Sequence, residues 1–302
     1  MGFEFWFRIV NWALMLGLAA WVGRPSAKLL TKRRRAFTER TGAYLDPYFT
    51  EAFDRQTRRN YHWFAGLILA AAALEELFAD LDPDPEIAPF SPYSFFAAAW
   101  LAGFAATRLR SAGREFAVPD SRTAVARPRR VVLGDYVSWP LQLATWLFLA
   151  LDVALAVASL AAWRRGDVRP VRVVSGVASL SVTLAMAAFT VWFGRALCER
   201  PTPAVDPSHL YLQDAWRASS LSSAYTAVCV SAYIAFLGLV FVADIRWLDV
   251  AMGVLTYPTL GAILVVGLVQ SKWFRRRLWT TLPSGYVLYP GQTIPPTSGA
   301  GA

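Results

Sequence analysis

The chain has 302 residues, of which 56% are hydrophobic and only 17% are charged, and its mean hydropathy is +0.36. This composition is too apolar for a soluble domain of such length, so it predicts an all-α integral membrane protein. Two cysteines and two histidines argue against a disulfide framework and a histidine-built metal site, and we expect no cofactor and no metal. The net charge of +9 comes mainly from arginine, and the richness in arginine and alanine indicates a GC-rich bacterial genome.

Seven apolar segments follow one another along the chain, and most are long enough to cross about 30 Å of hydrocarbon at about 1.5 Å per helical residue. The third segment is the shortest and reaches both surfaces only if flanking side chains extend towards water. We therefore predict about seven transmembrane helices, at residues 8–23, 61–80, 93–107, 137–163, 173–196, 217–243 and 247–270.

Basic residues predict the orientation of these helices. Twenty-four of the 30 Lys and Arg side chains fall in connections that would share one side of the membrane, which the positive-inside rule makes cytoplasmic. The N-terminus is then outside and the C-terminus inside, in the plasma membrane of a bacterium. The predicted parts are a first transmembrane helix at 1–23, a basic amphipathic segment at 24–60, a six-helix bundle at 61–270 and a mostly disordered tail at 271–302.

Two amphipathic stretches lie in the basic segment. The first has helix-start signals at Pro25 and Ser26 and a stop signal at Gly42, and the second covers residues 46–63. Basic amphipathic helices bind anionic lipid readily, so we expect both to lie on the anionic cytoplasmic leaflet. The alternative is a docking surface for a protein partner on the cytoplasmic face. We do not expect nucleic acid to bind.

An acidic cluster marks the outer side of the second segment. Glu75 and Glu76 lie about one helical turn below an aspartate-rich loop at 80–86, and a basic loop at 164–172 falls on the same side. We predict that the two loops neutralise each other. Glu75 and Glu76 are candidates for an outer vestibule.

The fourth, fifth and sixth segments each carry a stripe of small and polar residues. Asp152 lies in the middle of the fourth segment, where a carboxylate costs about 2.5 kcal/mol or more unless it is paired, protonated or hydrated. Two interpretations remain open: ordinary packing through small residues, or a buried proton or ligand site. The candidate residues for such a site are Asp152, Gln142, Thr145, Ser179, Thr183, Ser222 and Thr226.

Catalytic motifs give no support for an enzyme. The chain has no Gly-rich phosphate loop, no HExxH and no GxSxG. We therefore expect a non-enzymatic membrane subunit or accessory protein of a larger assembly. The alternatives are a small-solute or ion transporter, proton-coupled through Asp152, and an intramembrane lipid-modifying enzyme.

Overall fold

A computed structural model describes residues 3–45, 47–81, 90–112, 131–166, 170–200, 204, 207–243, 259, 261–263 and 273–280. These residues form an all-helical structure without strands, which confirms the all-α part of the predicted fold class; the seven spans and the orientation stay predictions. Its helices are α1 Phe3–Gly23, α2 Ala27–Thr41, α3 Pro47–Leu81, α4 Phe90–Ala112, α5 Leu133–Tyr136, α6 Trp139–Arg165, α7 Pro170–Glu199, α8 Pro207–Ala243 and α9 Trp273–Leu278.

Three stretches in the described part are long and apolar enough to cross a membrane: Trp139–Arg165 in α6, Gly176–Glu199 in α7 and Pro207–Val240 in α8. The chain therefore has the character of a membrane protein. The first six predicted segments overlap α1, α3, α4, α6, α7 and α8. The seventh, 247–270, lies almost wholly outside the described residues.

Helix α8 lies at the centre of the bundle and packs against α4, α6 and α7, while α1 packs mainly against α3. Small side chains explain this position, because residues such as Ala215, Ala218, Ala224 and Ala232 let neighbouring backbones approach closely. Helix α6 is different, since one of its faces carries exposed apolar side chains that include Trp139, Leu143, Trp146 and Val157. That face is suited to contact with lipid.

The first predicted amphipathic helix is present as α2. The Ser26 hydroxyl accepts a hydrogen bond from the Leu29 amide at 3.2 Å, and Gly42 ends the helix with a φ of 72°. Both are the capping arrangements that the sequence indicated. The second amphipathic stretch forms the first half of α3, which continues without a break through residues 60 and 61, where two predicted segments meet.

Aromatic side chains of α2 and α3 are buried against α8 rather than exposed. Phe37 and Phe53 contact the Trp216 ring at centroid distances of 5.9 and 5.5 Å, and Phe49 stacks on His209 at 4.9 Å. Helix α8 can cover them because it begins at Pro207, ten residues before the predicted start at 217. These aromatic rings are therefore occupied by protein contacts. The expectation that the basic side chains meet anionic lipid stays a prediction.

Candidate functional site

The polar stripe predicted on α6 faces the protein. Thr145, Asp152, Ala156 and Ser159 are all buried, because their spacing of three, four and seven residues keeps them on one side of a 3.6-residue helix. Asp152 therefore points into the bundle and away from the lipid-suited face of α6.

Asp152 lies where α6, α7 and α8 meet. Its relative exposure is 0%, and neither carboxyl oxygen has a hydrogen-bond partner among the described residues. One turn further along α6, Ala156 packs with Leu180 of α7 and Leu239 of α8. The carboxyl group thus lies about midway along α6, on the face of the helix that packs against α7 and α8.

Hydroxyl groups line the interfaces among these three helices. Thr183 of α7 and Ser231 of α8 are joined through their side-chain oxygens at 2.8 Å, and the Thr183 hydroxyl also donates to the Ser179 carbonyl at 2.9 Å. The hydroxyls of Ser159, Ser179 and Tyr233 are buried without a hydrogen-bond partner in the described part of the chain. Unsatisfied buried polar groups are uncommon in folded proteins, so this cluster calls for a physical explanation.

Other predicted site residues have local roles along their own helices. Thr145 donates to the Leu141 carbonyl at 2.7 Å, and Gln142 donates to the Val137 carbonyl at 2.8 Å near the start of α6. Gln142 precedes Asp152 by ten residues, which corresponds to about 15 Å of helix. Ser222 and Thr226 donate to carbonyls of the preceding turn of α8.

The predicted set therefore divides into two groups. Asp152, Ser179 and Thr183 belong to the mid-bundle interfaces of α6, α7 and α8. Gln142 and Ser222 lie towards the arginine-rich end, which we define as the end of the bundle that holds α2, α5 and α9. Thr145, three residues after Gln142, and Thr226, four residues after Ser222, lie between the two groups along α6 and α8. Glu75 and Glu76 lie on α3, but their side chains are outside the described residues, as is most of the acidic loop that follows. The vestibule and the pairing of the two loops stay predictions.

Sequence reasoning missed a buried polar network at the arginine-rich end. Asp214 of α8 accepts hydrogen bonds from the Tyr136 hydroxyl at 2.8 Å and from the Trp279 indole at 2.9 Å. The Tyr211 hydroxyl donates to the Thr41 carbonyl, which ties α8 to α2. Proline at the first helical position and the apolar spacing that follows Pro207 were the available signals for this earlier start of α8.

No protein-family model matches the chain, and no curated protein or solved structure shows significant similarity to it. In the described residues, no three His, Cys, Asp or Glu side chains are grouped so that they could hold a metal ion.

Proposed function

We propose that this protein is a small-solute or ion transporter of a bacterial plasma membrane, coupled to protons through Asp152. In this proposal the arginine-rich end faces the cytoplasm and the N-terminus faces outwards, as the distribution of basic residues predicts. The observation that supports it most is the complete burial of Asp152, with no hydrogen-bond partner among the described residues.

A buried carboxyl group couples proton binding to hydration. The neutral acid tolerates an apolar interior, whereas the carboxylate needs water, a cation or new hydrogen bonds to offset its desolvation. Binding or loss of a proton at Asp152 would therefore favour two different arrangements of α6, α7 and α8. Such coupling between a proton and two arrangements is the physical requirement of proton-driven transport.

The surroundings supply the groups that the charged form would need. The Ser159, Ser179 and Tyr233 hydroxyls have unused hydrogen-bonding capacity and can donate to water that hydrates a carboxylate in these interfaces. From residue 225 onwards, the described titratable side chains that α8 buries are Tyr225, Cys229 and Tyr233, while α7 contributes the hydroxyls of Ser179 and Thr183. Pure packing would leave the unused hydroxyls unexplained.

Proteoliposomes that contain a trapped pH-sensitive dye test this function. Sodium, potassium, neutral amino acids and sugars would be added separately under an imposed proton gradient, with empty liposomes as the background. We expect one of these probes to change proton entry in the native protein and Asp152→Asn to abolish the change. Asp54→Asn is the matched control. It makes the same chemical change at a carboxyl group of the arginine-rich end, where Asp54 pairs with Arg34 at 3.2 Å.

Two results would reject the transporter. Either all probes leave proton entry at the background of empty liposomes, or Asp152→Asn behaves as the native protein does. The accessory-subunit function stays a prediction from the sequence, and purification in native lipid nanodiscs would test it by showing whether a stoichiometric partner protein is retained.

A further inference from the structure

A cavity of about 410 Å³ opens at the arginine-rich end, well away from Asp152 along the bundle. It lies among α2, α3, α4 and α8 and reaches the last turn of α1. Arg33 and Arg40 of α2 and Arg108 of α4 line it, and its described lining residues include no aspartate or glutamate. The cavity is therefore strongly basic.

Two of these arginines contact hydroxyl and aromatic side chains. The Arg33 Nε donates to the Tyr61 hydroxyl at 3.2 Å, and its guanidinium lies 6.0 Å from the centre of that ring. Arg108 donates to the Ser223 hydroxyl at 3.1 Å and lies 5.8 Å from the centre of the Phe104 ring. For Arg33, neutral partners fix the orientation of the guanidinium without cancelling its charge, so part of the entropic cost of binding an anion is already met.

The other walls of the cavity are apolar and hydroxylic. Val22, Phe64 and Phe104 supply hydrocarbon and aromatic surface, and Ser219 and Ser222 add hydroxyls. A ligand that fits these walls carries an anionic group at one end and an apolar group at the other. The volume is within the range of about 300–1,000 Å³ that is typical of small-molecule sites.

We propose that this cavity binds a phosphate ester, with the phosphate between Arg33, Arg40 and Arg108. Arginine suits this group because its planar guanidinium donates two parallel hydrogen bonds to phosphate oxygens. The phosphate belongs either to a lipid headgroup, whose acyl chains continue along the apolar wall, or to a soluble ester. This site is independent of proton coupling at Asp152.

Native mass spectrometry of the full chain tests the site. The protein would be reconstituted in phosphatidylcholine nanodiscs with and without phosphatidic acid, and released into the gas phase to count retained lipids. A second arm adds glycerol 3-phosphate or inorganic phosphate as a competitor. The test variant is the double substitution Arg33→Gln with Arg40→Gln, both of which are exposed residues of α2.

Arg35→Gln is the matched control. Arg35 lies on the opposite face of α2, its side chain is 81% exposed, and it pairs with Glu39 at 2.6 Å. Glu39 raises the pKa of Arg35 through that hydrogen bond. A third variant, Ala36→Phe, fills the cavity and leaves all three lining arginines intact.

We expect the native protein and Arg35→Gln to retain phosphatidic acid in preference to phosphatidylcholine. The double variant should lose at least about tenfold in retention, as expected when charge-assisted hydrogen bonds are removed, and Ala36→Phe should lose it as well. Competition by glycerol 3-phosphate or inorganic phosphate would support the site and identify a soluble ligand. Unchanged retention in the double variant, or an equal loss in Arg35→Gln, would overturn the proposal, because binding would then reflect surface charge alone.

Discussion

Removal of the Asp214 side chain should weaken the arginine-rich end more than any surface substitution there. Asp214 is 1% exposed and accepts hydrogen bonds from Tyr136 and Trp279, which come from α5 and from the residue that follows α9. Hydrogen bonds to a charged group contribute about 1.5–3 kcal/mol each, so Asp214→Ala should cost about 3–6 kcal/mol. A cycle with Tyr136→Phe should show a coupling of at least about 1 kcal/mol, because the two residues share one hydrogen bond.

Labelling of a buried thiol measures this loss. Cys229 is 0% exposed in the middle of α8, so a thiol reagent reaches it only when the bundle opens. In a Cys198→Ser background, we expect Asp214→Ala to raise the Cys229 labelling rate by a factor of about 10² or more, the equivalent of about 3 kcal/mol. A rate within about threefold of the parent, which is under 1 kcal/mol, would refute the argument that this network stabilises the bundle.

Two further substitutions test the packing of the helices. Phe53→Ala should lower the unfolding free energy by about 3–5 kcal/mol, because Phe53 is buried against Trp216. Thermal unfolding measures this loss, and substitution of the exposed Trp63 by Ala is the control that should change the stability little. Equal losses in the two variants would contradict the prediction. For the hydrogen bond between α7 and α8, the cycle of Thr183→Val and Ser231→Ala should give a coupling of about 0.6 kcal/mol and at most about 1.7. Strict additivity in the same assay would show that the 2.8 Å contact contributes nothing.

The helices were predictable where the chain is continuously apolar. Segments such as 137–163 and 173–196 match α6 and α7 closely, since lipid requires every backbone polar group to be paired within the helix. The start of α8 was predicted ten residues late because hydropathy treats His209 and Asp214 as loop residues. Their burial depends on partners from distant parts of the chain, which a local pattern cannot reveal.

The polar face of α6 was also predictable, because a helical repeat fixes which side chains share a face. Burial of Asp152 and Ser159 agrees with that expectation. The distance of Gln142 from Asp152 was predictable from the helical rise, whereas the placement of Ser222 was not, since the relative positions of helices depend on tertiary packing. The basic cavity was not predicted for the same reason. Arg33 and Arg108 lie 75 residues apart in the chain, and they line one cavity only because α2 and α4 pack together with α3 and α8.

The hydrogen bond between Asp214 and Trp279 also has a consequence for the time course of synthesis. The two residues are separated by 65 positions, and a ribosome adds about 5–20 residues per second. Asp214 is therefore made roughly 3–13 s before the indole that completes its buried network. During that interval Tyr136, which is already synthesised, can hold Asp214, so the arginine-rich end closes in two steps in chain order.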